Sequence, residues 1–442
     1  MDDFSYRDGR LGCEGVDLVS LADEFGTPTY VYSRATLEGH YDRIAAAFAE
    51  LNPLVCYSIK SCPNLEVCRV LVGRGAGMDA VSGGEIERAW LAGCPMDKIV
   101  YAGVGKTEPE IRAALSGGHS LLNDAAAADR GAIGWFNIES EQEFQAVAAI
   151  ARELGVKAHA ALRVNPDVDP KTHRYTTTGT KETKFGVDLE RALAFFERFG
   201  RDEYLVLDAL HIHLGSPIYS TEPYVRGVTK VLELVDKLES RGHAIKTIDL
   251  GGGFGADYET DRSPHAAEYA GAIVPLLRER VAKGTQIILE PGRTISANAG
   301  VLLTRVVYVK DGPDKRFVIC DAGMQTLIRP ALYEAFHFIW PAIVGPGHVP
   351  PRRAKTLDLP GLVRCDVVGP ICETGDFLAL ERDLPPVKRG DVLAVFTAGA
   401  YGMSMASNYN SQVLPAEVLV SGGASRVIRR RQTVPELLAH ER

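Results

Sequence analysis

No apolar stretch of this sequence approaches the roughly 18 residues that a membrane-spanning helix needs. The first residues, MDDFSYRDGR, are acidic and polar and lack the basic-then-apolar order of a secretory signal. Basic residues are in the minority, with 49 Lys and Arg against 57 Asp and Glu, so the net charge is −8. These absences predict a protein that binds neither membranes nor nucleic acid, and they leave the basic run at 426–432 as a solvated surface.

Paired cysteine motifs are also absent. The eight cysteines form no CxxC pair, and no Cys/His cluster has zinc-finger spacing. In a chain of 442 residues this predicts reduced thiols in a cytoplasm, most of them small core residues, and it excludes a disulfide framework. We predict no metal site. One cysteine, Cys372, receives a different interpretation below.

Short apolar runs alternate with amphipathic ones between residues 54 and 292, which is typical of parallel βαβ units. The runs at 140–155 and 224–242 place apolar residues at spacings of three and four and therefore predict helices. Eight repeats favour a (β/α)₈ TIM-type barrel, with an open doubly wound sheet as the alternative. The predicted strands are LVCYSIK (54–60), GMDAVS (77–82), KIVYAG (98–103), GWFNIES (134–140), HAALRVN (159–165), ALHIHLG (209–215), TIDLGGG (247–253) and QIILEPG (286–292).

The chain after about residue 300 has a different pattern, with β-rich runs separated by Gly, Pro and Asp. It predicts a second, mainly antiparallel β domain, a barrel or a sandwich. We expect the (β/α)₈ barrel over 28–298, the β domain over 299–425 with a contribution from 1–27, and a C-terminal tail over 426–442. An Ala-rich segment, 117–132, is expected to be an excursion on the barrel surface, without chemistry of its own.

Residues that can carry chemistry gather at the predicted carboxyl ends of the strands, where barrels of this kind place their functional groups. The loops after strands seven and eight read DLGGGFG (249–255) and EPGR (290–293), and this pair of loops is the usual phosphate site of such barrels. A tight turn is the alternative for the glycines. The strand-end residues are Lys60, Asp79, Asn165, His211, His213, Ser216, Gly251, Gly252, Gly253, Glu290 and Arg293.

Glu290 follows an apolar strand, so its carboxylate needs a cationic or N–H partner, either a protonated pyridine nitrogen or an arginine such as Arg293. His211 and His213 alternate along one strand and share a face. Either can be a satisfied core histidine, and one can stack on an aromatic cofactor. Neither histidine has an acidic or thiol partner in the sequence at a spacing that suits metal ligation. Lys60 can simply reach solvent, but beside these groups it suits covalent attachment of pyridoxal phosphate.

Eight segments carry a resemblance that runs from about residue 25 to 420. The sequence resembles the pyridoxal-phosphate decarboxylases of the alanine-racemase-like barrel type, in particular those that act on meso-2,6-diaminopimelate. The segments are YSIKSCPN (57–64), RVNPDVDPKTHRYTTTGTKETKFGV (163–187), HIHLGS (211–216), LGGGFG (250–255), EPGR (290–293), DAGMQTLIRPALYEAFH (321–337), GPICETGD (369–376) and GAYGMSMASNYN (399–410).

The resemblance implies a cytoplasmic lyase that converts meso-diaminopimelate to L-lysine and CO₂, the last step of lysine biosynthesis, with pyridoxal 5′-phosphate as cofactor. It implies that Lys60 carries the cofactor, His213 stacks on the ring and Glu290 contacts the pyridine nitrogen. The full set of cofactor-binding residues implied is Lys60, Asp79, His213, Ser216, Gly252, Gly253, Glu290, Gly292, Arg293 and Tyr401.

The resemblance also implies a homodimer with shared active sites. Cys372 would be the proton donor and would come from the partner subunit, as would Glu373. The residues implied to bind the substrate are Arg293, Arg329, Tyr333, Glu373 and Tyr401. Arginine suits a distal carboxylate because its planar guanidinium grips that group bidentately.

Other functions stay open beside this one. They are decarboxylation of another basic amino acid or of a carboxylated polyamine, a catalytically silent regulator that binds pyridoxal phosphate, and a barrel racemase. The silent form is disfavoured because Lys60, Cys372 and Glu373 are all present. One departure from the family pattern is Pro217, which stands where these enzymes usually carry glutamine after GS.

Overall fold

The computed structural model describes residues 2–122, 125–169 and 184–442. Two compact units result, and both are discontinuous in sequence. One comprises Tyr41–Gly255 and Ser263–Gly292, and the other comprises Met1–His40, Ala256–Arg262 and Arg293–Arg442. Part of the 163–187 resemblance segment and part of the 117–132 excursion lie outside the described residues.

Strands occur in both units. In chain order they are β1 (Phe4–Arg7), β2 (Arg10–Cys13), β3 (Val16–Asp17), β4 (Thr29–Ser33), β5 (Leu54–Ser58), β6 (Gly77–Ala80), β7 (Ile99–Tyr101), β8 (Trp135–Ile138), β9 (Ala158–Asn165), β10 (Val187–Asp188), β11 (Leu205–His211), β12 (Thr247–Asp249), β13 (Gln286–Leu289), β14 (Gly300–Asp311), β15 (Arg316–Cys320), β16 (Ile339–Pro341), β17 (Val363–Val368), β18 (Phe377–Leu384), β19 (Val392–Val395), β20 (Ala416–Ser421) and β21 (Ala424–Arg429).

The α-helices lie mainly between the strands of the first unit. They are α1 (Leu18–Phe25), α2 (Arg34–Ala47), α3 (Leu65–Gly73), α4 (Gly83–Leu91), α5 (Glu108–Leu115), α6 (Glu141–Leu154), α7 (Leu189–Phe199), α8 (Glu222–Ser240), α9 (Ala266–Ala282), α10 (Arg293–Ser296), α11 (Arg329–Tyr333) and α12 (Val434–Leu437). Within the described chain, none of them combines the length and the apolarity that crossing a membrane requires.

The first unit is a closed parallel barrel. Strands β5, β6, β7, β8, β9, β11, β12 and β13 each pair in parallel with the next, and β13 closes the ring on β5. The predicted (β/α)₈ barrel is therefore confirmed, and the open doubly wound sheet is excluded. Because all eight strands are parallel, their carboxyl ends meet at one rim, which brings residues far apart in sequence together.

Helix α6 shows how local chemistry sets an element of the barrel. Ser140 accepts a hydrogen bond from the N–H of Glu143 and caps the first turn, while Gly155 ends the helix at a φ of 66°. Phe144, Val147 and Ala151 are buried on one face, as the sequence periodicity predicts. Helix α8 buries Val228, Val231, Val235 and Leu238 in the same way.

The second unit is mainly sheet, as predicted. Strands β1, β2 and β3 form a small antiparallel sheet, and a nine-stranded sheet has the path β18-β17-β15-β14-β4-β20-β21, with β19 joining β16 to β14. Most pairs are antiparallel, but β15–β17 and β20–β4 are parallel. Strand β4 (Thr29–Ser33), which the sequence pattern did not distinguish, lies between β14 and β20 in this sheet.

The cysteines behave largely as predicted. All eight are free, seven of them are buried, and Cys372 is exposed. Burial raises the pKa of the Cys68 thiol and of the Cys320 thiol. These thiols therefore act as small apolar core groups.

The excursion is held by a buried ion pair. Arg130 binds the carboxylate of Glu87 through two nitrogens at 2.5 and 2.7 Å, and both side chains are nearly fully buried. The hydroxyl of Ser120 and the N–H of Leu121 also donate to Glu87, the N–H at 2.9 Å. Helix α4 therefore fixes both sides of this segment to the barrel.

Replacing Arg130 with alanine should destabilise the first unit, because it leaves the Glu87 carboxylate buried without its cation. Loss of one partner of a buried pair costs about 3 kcal/mol. Arg112→Ala is the matched control, since Arg112 pairs with Glu108 and Glu153 at the surface. The guanidinium-chloride midpoint should fall clearly for Arg130→Ala alone; equal small shifts in both variants would contradict this role.

Candidate active site

Lys60 lies at the barrel rim but not in a strand. Strand β5 ends at Ser58, and Lys60 follows in a short 3₁₀ turn, Ile59–Ser61. Its Nζ donates to Oδ2 of Asp79 at 2.9 Å, and the same oxygen accepts the Ser58 hydroxyl at 2.6 Å. The lysine side chain is about one-third exposed, whereas Asp79 is fully buried. The strand-end lysine therefore does not simply reach solvent: it is held against a buried carboxylate.

Three of the carboxyl groups buried at this rim influence one another: Asp79, Asp249 and Glu290. Burial and the Glu290 carboxylate raise the pKa of Asp79, and the same two causes raise the pKa of Asp249 well above its usual range. Burial also opposes ionisation of Glu290, but His211, Lys60 and Asp249 outweigh it, so the pKa of Glu290 is lowered. The pKa of Glu290 is therefore shifted in the opposite direction to the pKa values of Asp79 and Asp249, which favours the ionised form of Glu290.

The surroundings of Glu290 explain this difference. Nε2 of His211 lies 3.4 Å from Oε2 of Glu290, and Nδ2 of Asn137 donates to both Glu290 and Asp249 at 3.4 Å. Ligand atoms of His211, Asp249 and Glu290 lie within 4.8 Å of one another. The sequence spacing had suggested no acidic partner for His211. That expectation was wrong, because Asp249 ends strand β12 and Glu290 directly follows strand β13, so only the folded barrel brings them near His211.

His213 and the glycine loop form a second part of the rim. The N–H of Gly252 donates to Nδ1 of His213 at 3.2 Å, so that nitrogen is the acceptor of a neutral imidazole. Burial, Arg163 and Lys60 lower the pKa of His213 well below its usual value. A neutral, partly buried imidazole suits stacking on an aromatic ring.

The glycines are needed because the backbone is crowded. A Cβ on Gly252 would lie 2.2 Å from the carbonyl oxygen of Glu290, and one on Gly253 would lie 2.4 Å from that of Gly215. Gly253 also has a φ of 98°, a backbone conformation that residues with a Cβ atom rarely adopt. Tyr224 donates its hydroxyl proton to the carbonyl of Gly252 at 2.9 Å. The glycines therefore do form the tight turn that the sequence offered as an alternative. This turn places backbone without side chains at the rim.

Arg293 and Arg329 belong to the second unit, where both are buried. Arg293 donates to the hydroxyl of Tyr258 at 2.9 Å, and its guanidinium lies 4.7 Å from the ring centre of Tyr401. Arg329 begins α11, which Tyr333 ends, and its guanidinium lies 4.8 Å from the ring centre of Tyr258. The two arginines therefore bracket one tyrosine.

Cys372 and Glu373 occupy an exposed loop of the second unit. The N–H of Cys372 donates to Oδ1 of Asn410 at 3.0 Å, and Tyr409 donates to Glu373 at 2.8 Å. Behind the loop, buried Asp376 accepts the N–H groups of Ile371 and Met324, both at 2.6 Å. The loop is held by backbone contacts, while its thiol stays exposed.

Several residues of these arrangements were not identified from sequence. Asp249 precedes the glycines of DLGGGFG, and the sequence analysis treated it only as part of that loop motif. His337 ends a segment quoted for the resemblance, and Asp376 ends another. Tyr258 and Asn137 carried no signal, because only the fold brings them to their partners.

The rim fits pyridoxal phosphate. In the described part of the chain, buried Oδ1 atoms of Asp79 and Asn137 have no hydrogen-bond partner. A lysine amine, an ionised buried glutamate and a neutral histidine are the groups that this cofactor needs for attachment, for its pyridine nitrogen and for its ring face. Backbone without side chains, as in the glycine loop, is the kind of backbone that can bring N–H groups close to an anion.

Comparisons with known proteins agree with this fit. Residues 34–297 match the family model "Pyridoxal-dependent decarboxylase, pyridoxal binding domain". A diaminopimelate decarboxylase from Pseudomonas aeruginosa is 46% identical, over 100% of this chain and 99% of its own length. A crystal structure of diaminopimelate decarboxylase from M. jannaschii is 35% identical, with a TM-score of 0.89, and covers 100% of this chain and 98% of its own.

A further crystal structure is diaminopimelate decarboxylase from Helicobacter pylori complexed with L-lysine. It is 35% identical, with a TM-score of 0.85, and covers 96% of this chain and 99% of its own. The similarity therefore spans both units rather than the barrel alone.

Replacing Lys60 with alanine should abolish covalent attachment of the cofactor, because among the described residues Lys60 is the amine that Asp79 holds at this point of the rim. After incubation with pyridoxal phosphate and reduction with borohydride, peptide mass spectrometry should find one pyridoxyl group on the Lys60 peptide. The control Lys157→Ala, at an exposed position, should keep the label. A label that persists in Lys60→Ala would contradict the assignment.

Proposed function

This chain belongs to the pyridoxal-dependent decarboxylases, and from that membership we propose that it decarboxylates meso-2,6-diaminopimelate to L-lysine and CO₂ with pyridoxal 5′-phosphate. The reaction is the last step of lysine biosynthesis. The observation that carries the choice of substrate is the pair of buried guanidinium groups, Arg293 and Arg329, on either side of Tyr258. A substrate with a second carboxylate suits that pair, whereas lysine and ornithine offer an amine at the corresponding end.

Lys60, Asp79, Glu290 and His213 are the proposed first contacts of the cofactor in the barrel. Bound pyridoxal phosphate supplies an electron sink for the electron pair that departing CO₂ leaves on the substrate carbon. Glu290, whose lowered pKa favours the ionised form, would hold a proton on the pyridine nitrogen of the bound cofactor. The remaining proposed contacts, for the phosphate and the ring, are Ser216, Gly252, Gly253, Gly292, Arg293 and Tyr401.

The substrate's non-reacting end is assigned to Arg293, Arg329 and Tyr333. Two guanidinium groups neutralise one carboxylate, and a phenol adds a hydrogen bond that fixes its orientation. Tyr401, whose ring lies against Arg293, is proposed to touch both cofactor and substrate.

Reprotonation of the carbon needs an acid at the reacting end. The Cys372 thiol is exposed in the single chain, and Glu373 lies beside it, ready to bind an amine. We assign both residues to the active site of the partner subunit of a homodimer, with the thiol giving its proton to the substrate carbon. Seven buried free cysteines also fit a reducing compartment, and we place the reaction in the cytoplasm.

The proposal predicts selective CO₂ release. Purified protein with added pyridoxal phosphate is given meso-diaminopimelate, L-lysine, L-ornithine or L-arginine separately at equal concentration. Diaminopimelate alone should be turned over, with L-lysine as the product by mass spectrometry. In the same assay Arg329→Ala should lose about 30-fold or more in kcat/KM while still binding the cofactor.

Turnover of ornithine or lysine instead would keep the family and the cofactor but overturn the distal pocket. No turnover of any of the four, with pyridoxal phosphate bound, would favour the silent regulator.

A further inference from the structure

His337 is a buried histidine to which the proposed function gives no role. It lies four residues after α11, in the second unit, and is fully buried. Its Nδ1 donates to the backbone carbonyl of Phe396 at 3.0 Å, and its Nε2 lies 2.9 Å from a terminal nitrogen of Arg329. A carbonyl only accepts, and a guanidinium only donates. The proton is therefore on Nδ1, and Nε2 accepts from Arg329.

The neutral form of His337 is the one that this position requires. Burial, and then the neighbouring Arg329, lower the pKa of His337 to about 3. The backbone of His337 is held as well, because Arg382 donates to its carbonyl oxygen at 2.9 Å. His337 therefore offers Arg329 a fixed, uncharged acceptor.

Tyr258 joins this histidine to both arginines. Its hydroxyl accepts from Arg293, and its ring faces Arg329. The ring centres of Tyr258 and His337 lie 5.3 Å apart, with the two planes at 87°. Burial opposes ionisation of the phenol, but Arg293 and Arg329 outweigh it and lower its pKa. The ring packs against Ala256, Ala297 and Ala400, which leave it little freedom to move.

We propose that His337 and Tyr258 are positioning residues that fix the orientation and separation of the Arg293 and Arg329 guanidinium groups, and thereby select ligands with a distal carboxylate. The inference rests on the proposed function, because it takes these arginines as the carboxylate site. Bidentate recognition depends on the plane of each guanidinium, and a hydrogen bond at one terminal nitrogen fixes that plane. Neutral supports add no charge that would compete with the ligand carboxylate for the arginines.

The consequence concerns binding more than chemistry. The carboxylate at the non-reacting end is present in the substrate and in the product L-lysine alike, so both should bind more weakly when the guanidinium groups are misplaced. Cadaverine is a similar diamine without a carboxylate, so its affinity should not change when the guanidinium groups are misplaced. This difference separates positioning of the arginines from general damage to the site.

The test uses His337→Ala, His337→Gln and Tyr258→Phe in the holoenzyme. His337→Ala should raise the KM for meso-diaminopimelate and the dissociation constant of L-lysine about tenfold, with a smaller change in kcat. His337→Gln should recover most of the loss, because the amide oxygen accepts from Arg329 and the amide nitrogen can donate to Phe396. Tyr258→Phe, which keeps the ring and removes the hydroxyl that accepts from Arg293, should raise both constants about threefold.

Matched controls make the outcome specific. His40 is also buried and lies within 2.9 Å of a backbone carbonyl, that of Ile295, so His40→Ala reports the general cost of removing such a histidine. Cofactor absorbance should be unchanged in the His337 variants and in His40→Ala, and the cadaverine dissociation constant should be unchanged in every variant. L-lysine and cadaverine binding is measured by calorimetry, which does not depend on turnover.

KM and L-lysine affinity within twofold of the unsubstituted protein in His337→Ala would overturn the proposal, as would equal losses for L-lysine and cadaverine. If His337→Ala does not fold, Tyr258→Phe decides, and unchanged constants there would overturn it. Failure of the unsubstituted protein to release CO₂ would overturn the proposed function instead. In that case, weakening of L-lysine binding by these variants would still support the carboxylate site.

Discussion

The burial of three interacting carboxyl groups is the constraint on which the barrel rim depends. Asp79, Asp249 and Glu290 are all enclosed, and three negative charges at this spacing would repel one another in a medium of low polarity. This repulsion is reduced because the pKa of Glu290, which lies near His211 and Lys60, is lowered, whereas the pKa values of Asp79 and Asp249 are raised. The lowered pKa favours the ionised form of Glu290, which is the form that the proposed contact with a protonated pyridine nitrogen requires.

The second unit buries positive charge, whereas the barrel rim buries negative charge. Arg293 and Arg329 carry positive charge into a buried position, and the groups that orient them are a phenol and a neutral imidazole. A carboxylate in the place of His337 would neutralise the arginines and weaken their attraction for a ligand. In the proposed function, the barrel provides an anion for the cofactor, and the second unit provides cations for the substrate.

Much of the fold was predictable because each barrel strand carries a local signal, a short apolar run followed by an amphipathic helix. The strand-end residues followed from the same pattern, since parallel strands must end at one rim. Strand β4 was missed because its pairing with β14 and β20 joins segments some 270 and 390 residues away, which no local pattern records. Asn137, Tyr258 and His337 were missed for the same reason: their chemistry depends on partners that only the folded chain supplies. The roles of individual site residues, and the domain ranges inferred from sequence, stay predictions.

The central claim is that Glu290 is ionised and keeps the pyridine nitrogen of the cofactor protonated. Nitrogen NMR of the protein reconstituted with ¹⁵N-labelled pyridoxal phosphate measures that protonation directly, independently of turnover. The unsubstituted protein should show a protonated pyridine nitrogen at neutral pH, and Glu290→Gln should show a deprotonated one, because an amide cannot compensate the positive charge. A deprotonated nitrogen in the unsubstituted protein, or the same signal in both, would contradict the account.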